Sequence, residues 1–208
     1  MTRTVAAPAP VASGPPAGPR GGEDAAAADE AALVERVRLG DAAAFDALVT
    51  AYMRRAFSVA YRLMGQREDA EDLVQESFLA VLEKIHTFQA GRAFAPWFFR
   101  ILVNRGLNAR KSRTLRSVDE IPESAASALA SPERDAERAE LRDGLAAAMR
   151  ALPDRQATVV RLFDMEGFSS PEIAEILGIS EGTVRWHLHE ARKTLRGALA
   201  PFGNRSTP

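Results

Sequence analysis

The chain has 208 residues, 46% of them hydrophobic, with no cysteine and a formal charge of −1 at pH 7. That length supports one or two small cores, and the missing thiols exclude disulfides, thiol chemistry and cysteine-ligated zinc. No apolar run approaches the roughly 18 residues that a bilayer span needs; Pro8, Pro10, Pro15 and Pro16 break any signal-peptide core, which predicts a cytoplasmic protein without membrane insertion.

Residues 1–28 are Ala, Pro and Gly with scattered charge and no periodicity, so a disordered tail is expected. Helical patterning begins near Asp29 with Leu33, Val34 and Val37, and Gly40 stops it. A long helix follows from Asp41 through Phe45, Leu48, Val49, Tyr52, Phe57, Ala60, Tyr61 and Met64, closed by Gly65. A third is expected from about Glu68 to His86, with Leu73, Val74, Phe78, Val81, Leu82 and Ile85 inside.

The opening of that third helix reads REDAEDLVQE, five carboxylates in ten residues. Glu68 and Asp69 suit a first helical turn and need no function. Asp72, Gln75 and Glu76 lie further in, and a negative face beside DNA-directed segments fits a basic protein partner better than nucleic acid.

Charge is segregated downstream. Residues 84–118 hold eight Lys or Arg and no Asp or Glu, whereas residues 119–143 hold eight acids against three arginines. Within the basic stretch a fourth helix is expected from about Ala95 to Arg113. At about 100° per residue, Trp97, Arg100, Asn104, Asn108 and Lys111 share one sector of about 80°, while Phe94, Phe98, Phe99, Ile101, Leu102 and Val103 fill the rest. An aromatic, two amides and two cations on one face suit unpaired bases, with Arg110, Arg113 and Arg116 for phosphates. The amphipathic pattern alone fits equally a Trp97 in the core and solvated asparagines.

Residues 114–131 read as a flexible linker, and Ser131 and Pro132 open a helix reaching Ala151. Pro153 begins another, to about Phe163. The segment 168–199 then spells two helices joined by a tight turn. Ser169 or Ser170, Pro171 and Glu172 open the first; Gly178 ends it, Ile179 plugs the angle, and Ser180 caps the second. In that second helix Val184, Leu188, Ala191, Leu195 and Leu199 form the inward stripe. Trp186, His189 and Lys193 point away from it, flanked by Arg185, Arg192 and Arg196, with Thr183 and Glu190 adjoining. This is the layout of a DNA-reading helix-turn-helix.

The expected fold is therefore all-α. A first helical domain (29–113) is joined by the linker (114–131) to a second (132–200) that contains the helix-turn-helix, and residues 201–208 form a short tail. No strand pattern, cofactor motif or phosphate-binding glycine loop is present. His187 and His189 are about 200° apart on a helix, so with Glu190 they make no metal site, and nothing indicates catalysis.

DAEDLVQESF, the segment APWFFRILVNRGLNARKSR, and LPDRQATVVRLFDMEGFSSPEIAEILGISEGTVRWHLHEARKTLR together closely resemble the bacterial sigma factors of the extracytoplasmic-function (ECF) group, in order and spacing. The resemblance implies a subunit that binds core RNA polymerase, locates promoters and helps open them. Asp69, Asp72, Gln75 and Glu76 would dock on the clamp helices of the polymerase's largest subunit. Trp97, Arg100, Asn104, Asn108, Arg110, Lys111 and Arg113 would serve the −10 element. Thr183, Arg185, Trp186, His189, Glu190, Arg192 and Lys193 would serve the −35 element, while their domain contacts the flap of the second-largest subunit. An anti-sigma factor is implied as a further partner. Asn108 stands where many relatives have aspartate, Glu190 where a basic residue is common, and Trp186 where a small polar residue is common. A stand-alone helix-turn-helix regulator is the alternative reading, and it leaves the Trp97 helix unexplained.

Overall fold

The computed structural model describes residues 20–116 and 134–203, with side chains described for 28–113 and 140–200. Eight α-helices occur among the described residues, and no strand: α1 (Arg20–Arg38), α2 (Ala42–Met64), α3 (Arg67–Lys84), α4 (Phe94–Arg116), α5 (Arg134–Ala151), α6 (Asp154–Val160), α7 (Ser170–Leu177) and α8 (Glu181–Gly203). A 3-10 turn, Ile85–Thr87, follows α3, and a π turn, Arg161–Met165, follows α6.

Local chemistry explains most of the boundaries. Asp41 accepts the Ala44 N–H at 3.1 Å, capping α2, and its pKa is held below the ordinary carboxylate value first by the hydrogen bond from Arg36 and then by that backbone N–H. Gly65, at φ 78°, ends the same helix by donating to the Tyr61 carbonyl. Two expectations are corrected. Helical backbone starts at Arg20, inside the stretch expected to be disordered, because the alanines at 25–28 carry high helix propensity and extend the amphipathic segment backwards. The helix expected to run to Phe163 changes at Arg161 into the wider π turn, in which the Glu166 N–H reaches the Arg161 carbonyl at 3.1 Å. The expected tail before residue 20, the linker beyond Arg116 and the last five residues lie outside the described residues.

Helices α1–α4 pack around an aromatic core. Phe94, Phe98 and Phe99 of α4 are fully buried with Leu102 and Val103. Phe98 stacks on Phe78 of α3 with centroids 4.8 Å apart, and Tyr52 of α2 meets Phe94 and Phe98 edge-on at 5.3 and 5.6 Å. Glu30 of α1 accepts both the Tyr52 hydroxyl and the Phe94 N–H, so one carboxylate ties α1 and α2 to the first turn of α4. Burial, followed by the Glu30 hydrogen bond, pushes the Tyr52 pKa upward. Leu82, expected inside, is 45% exposed. At about 100° per residue it stands about 20° from exposed Gln75 and about 40° from buried Phe78, at the edge where the inward face of α3 meets the outward one.

Helices α5–α8 form the second unit, with α8 packed on α5, α6 and α7. Val184, Leu188 and Ala191 of α8 are buried against Ile173, Ile176 and Leu177 of α7, with Leu195 partly buried at the margin. The two units are in direct contact through α4 and α7, and their cores are continuous.

Candidate nucleic-acid and polymerase interfaces

Three surfaces carry the residues singled out in the sequence, and a fourth contact joins the domains. The acidic surface lies on α3. Asp72 and Gln75 are exposed, and with Glu76, Leu79 and Leu82 they occupy one outward stripe. Asp69 and Glu76 are tied back to α4: Arg113 meets Asp69 at 2.6 Å and Arg105 meets Glu76 at 3.2 Å. Beside this stripe an apolar groove between α2 and α3 is lined by Phe45, Val49, Met53, Phe57, Phe78 and Leu79, with Asp46, Glu71 and Gln75 at its edge.

On α4 the expected polar face is present. Arg100, Asn104, Asn108 and Lys111 are exposed along one side. Trp97 belongs half to this face and half to the core, since its ring lies edge-on to Phe88 at 5.3 Å and tilted against Phe94 at 5.7 Å. Arg110 and Arg113 leave the face altogether. Arg110 pairs with Asp154 of α6 at 2.8 Å, and Arg113 turns toward α3. Both stand about 140–160° around the helix from Trp97 at ordinary helical spacing.

The third surface is α8. A capping box holds the start of α7, with the Ser169 N–H donating to Glu172 at 2.7 Å. Gly178 closes α7 at φ 64°, and Ser180 caps α8 by accepting the Thr183 N–H at 3.1 Å. These local bonds fix the angle at which α8 leaves the body. Trp186, 55% exposed, and Arg185, His189 and Lys193 project outward. Arg185 lies 3.6 Å from Glu181, and Glu190 lies 4.0 Å from His189.

Two expected readers are partly engaged. The Thr183 hydroxyl sits 2.8 Å from Ser180 Oγ, inside the cap, and Arg192 pairs with Asp164 at 3.2 Å while lying over the Phe163 ring. His187 is half-buried with Nδ1 unpartnered; burial, and then nearby Arg155, hold its pKa below the ordinary imidazole value.

Sequence reasoning missed the contact between the domains. Glu166, at the end of the π turn, is held by Arg55, Ser58 and Arg62 of α2. Phe168 meets Phe99 edge-on at 5.1 Å, beneath the Arg55 guanidinium. The only sequence signal was an arginine pair seven residues apart on one side of α2, and nothing local names its partner.

Among the described residues, no group of three or more His, Cys, Asp or Glu is placed to hold a metal ion. None of the described helices is long and apolar enough to cross a membrane.

Comparison with known proteins agrees with this organisation. Residues 48–116 match Sigma-70 region 2, and residues 142–195 match Sigma-70, region 4. The ECF RNA polymerase sigma factor SigE of Mycolicibacterium smegmatis is 37% identical over 167 residues, a match covering 77% of this chain and 65% of that protein. The chain thus spans about two thirds of the length of that relative. The RNA polymerase sigma-H factor of Pseudomonas aeruginosa is 31% identical over 82% of this chain and 93% of its own length. For SigW of Bacillus subtilis the figures are 31%, 80% and 94%.

Two solved structures share the fold. CnrH, in complex with the cytosolic domain of CnrY, superposes with a TM-score of 0.64 at 24% identity, over 83% of this chain and 97% of that one. The sigma factor RpoE of Bartonella quintana, in complex with the anti-sigma factor NepR, gives 0.59 at 22% identity, over 75% and 96%. With both family regions in order on the two helical units, and the sigma-H and SigW relatives matched over nearly their full length, the chain belongs to the ECF group of the sigma-70 family.

Proposed function

We propose that the chain binds core RNA polymerase in the cytoplasm, reads the −35 and −10 elements of a promoter with its second and first domains, and assists opening of the DNA. The observation that carries this reading is the pair of outward faces on separate domains: Asn104, Asn108, Arg100 and Lys111 on α4, and Arg185, Trp186, His189 and Lys193 on α8. Exposed amides beside a half-embedded tryptophan suit unstacked bases. A cationic helix projecting from a capped turn suits a duplex groove. The role is binding rather than catalysis.

Residue roles follow from accessibility. Asp72 and Gln75 offer the open part of the surface for the clamp helices, and the adjoining Leu79 and Leu82 supply apolar area next to the charge. Asp69, 24% exposed, contributes by exchanging Arg113 for a partner cation, whereas Glu76 is 63% exposed beside Arg105 and is open to a partner as it stands. Arg110 and Arg113 support α4 from behind and meet phosphates only after leaving their present acids. Glu190 accepts from a cytosine amino group in the −35 element, and the second domain also meets the polymerase flap. An anti-sigma factor is the expected regulator, in keeping with the RpoE complex with the anti-sigma factor NepR.

The test is transcription by purified core polymerase, with and without the protein, on a genomic fragment library with 5′ ends mapped. New starts sharing two upstream motifs support the reading. A protein that binds DNA tightly alone and neither binds polymerase nor yields starts is a stand-alone regulator instead.

A further inference from the structure

We propose that residues 5–11 of the N-terminal segment dock in the apolar groove between α2 and α3, where they cover part of the surface that polymerase would use. The docking stands on the groove and the sequence of that segment; its effect on polymerase rests on the reading given above.

The groove encloses about 440 Å³. Phe45, Val49, Met53 and Phe57 line it from α2, and Phe78 and Leu79 from α3. Met53 and Leu79 are 43% and 54% exposed, so its lips present large apolar side chains to water, and a contiguous apolar patch of this kind marks a binding surface. The edge is acidic. Asp46 is exposed, and Glu71 is exposed while sharing Arg67 of its own helix at 2.8 Å. A matching occupant brings small apolar groups to an aromatic floor and a cation to the rim, and carries no acids of its own.

Of the segments outside the described residues, the linker has the wrong sign: residues 117–133 carry Asp119, Glu120, Glu123 and Glu133 and no cation. Residues 1–19 carry Arg3 and no acid, and five of them are proline. Such a composition favours the extended helix of three residues per turn. In that form Val5, Pro8 and Val11 fall on one edge, with Arg3 on the edge beside it. Proline-rich chains of this kind are recognised by aromatic-lined grooves, because the extended helix is preformed and little entropy is lost on binding. Val5, Pro8 and Val11 meet the phenylalanines, and Arg3 meets Asp46 or Glu71.

The segment is long enough to arrive there. From Arg20, the first residue of α1, nine steps back to Val11 span about 28 Å at about 3.1 Å each. Between Arg20 and Glu30 α1 rises about 15 Å, and Glu30 meets Tyr52, the neighbour of Met53 in the groove wall. Half a turn about α2 covers about 16 Å, so an oblique path back along α1 and round α2 is about 22 Å, inside the available length. Gln75 and Leu79 belong both to the groove and to the outward stripe of α3, so a docked segment and polymerase compete for them. Docking for roughly nine-tenths of the time raises the apparent Kd for polymerase about tenfold.

The absence of cysteine allows a single probe in the full chain. A benzophenone attached to Ala9→Cys is expected to photocrosslink within its own molecule to residues 45–57 of α2 or 71–79 of α3, as mapped by peptide mass spectrometry. Val5→Asp together with Val11→Asp should lower that yield roughly tenfold, and so should Met53→Glu on the groove side; circular dichroism checks that each protein stays helical. Crosslinks that miss the groove, or a yield unchanged by the Val5 and Val11 substitutions, overturn the docking and leave the groove to another protein. Crosslinks joining two chains, seen as a species of double mass, overturn it in favour of a second copy. In a titration with core polymerase the Val5→Asp, Val11→Asp protein should bind about tenfold more tightly than wild type. Equal affinities, with the crosslink lost in the variant, overturn the competition alone. Failure of both proteins to bind polymerase removes the polymerase reading and leaves the docking to be judged on the crosslink.

Discussion

Arg113 of α4 lies 2.6 Å from Asp69 of α3, so the helix assigned to the −10 element and the helix assigned to polymerase are joined by an ion pair. Arg105 and Glu76 repeat the arrangement at 3.2 Å. On the roles proposed above, docking that recruits Asp69 in place of Arg113 would release a cation on α4 and so link the two activities.

Asp69→Ala is expected to weaken core polymerase binding while costing the free protein at most about 1 kcal/mol, because the pair is partly solvated. A pull-down titration and a thermal melt read these separately. A large stability loss with unchanged affinity would make Asp69 a structural residue only.

For the −10 face, Asn104→Ala is a cleaner variant than Trp97→Ala. Asn104 is exposed, so its truncation should stay within about 0.5 kcal/mol of wild type; Trp97 also supports Phe88 and Phe94. Reduced permanganate reactivity of the melted region, with polymerase binding intact, is the expected result for Asn104→Ala. Wild-type reactivity would remove Asn104 from the opening step.

Glu190→Arg should change the preferred −35 sequence rather than merely tighten binding, since a carboxylate and a guanidinium seek different base edges. A promoter-library selection that returns the same motif for both proteins would exclude base readout at this position.

The turn before α8 makes a backbone prediction. Gly178 has φ 64°, and a Cβ there would meet no atom within 4 Å, so Gly178→Ala suffers conformational strain alone. The expected loss is about 1 kcal/mol, visible as a drop of a few degrees in Tm. An unchanged Tm would mean the turn readily adopts another conformation.

His187 predicts a pH effect of defined sign. Burial disfavours its charged form, so its folded pKa lies below the unfolded value of 6.5. As pH falls through 6.5 the unfolded state takes up the proton first, and stability declines until the folded pKa is passed. His187→Gln should flatten this slope in melts taken across that window. Identical slopes would assign the effect to other groups.

The helices, their caps and the outward faces of α4 and α8 were legible in the residues alone. Ser169, Glu172, Gly178 and Ser180 act within a few positions of themselves, and apolar periodicity sets which side of a helix turns inward. The tertiary structure decided that Trp97 is shared between core and surface, that Arg110 and Arg113 are turned away from the amide face, and that Leu82 joins the outward stripe of α3. It also decided the grip of Arg62 on Glu166, 104 positions apart. Partners at that separation are set by how whole helices pack, and no local pattern of charge or hydropathy encodes the pairing.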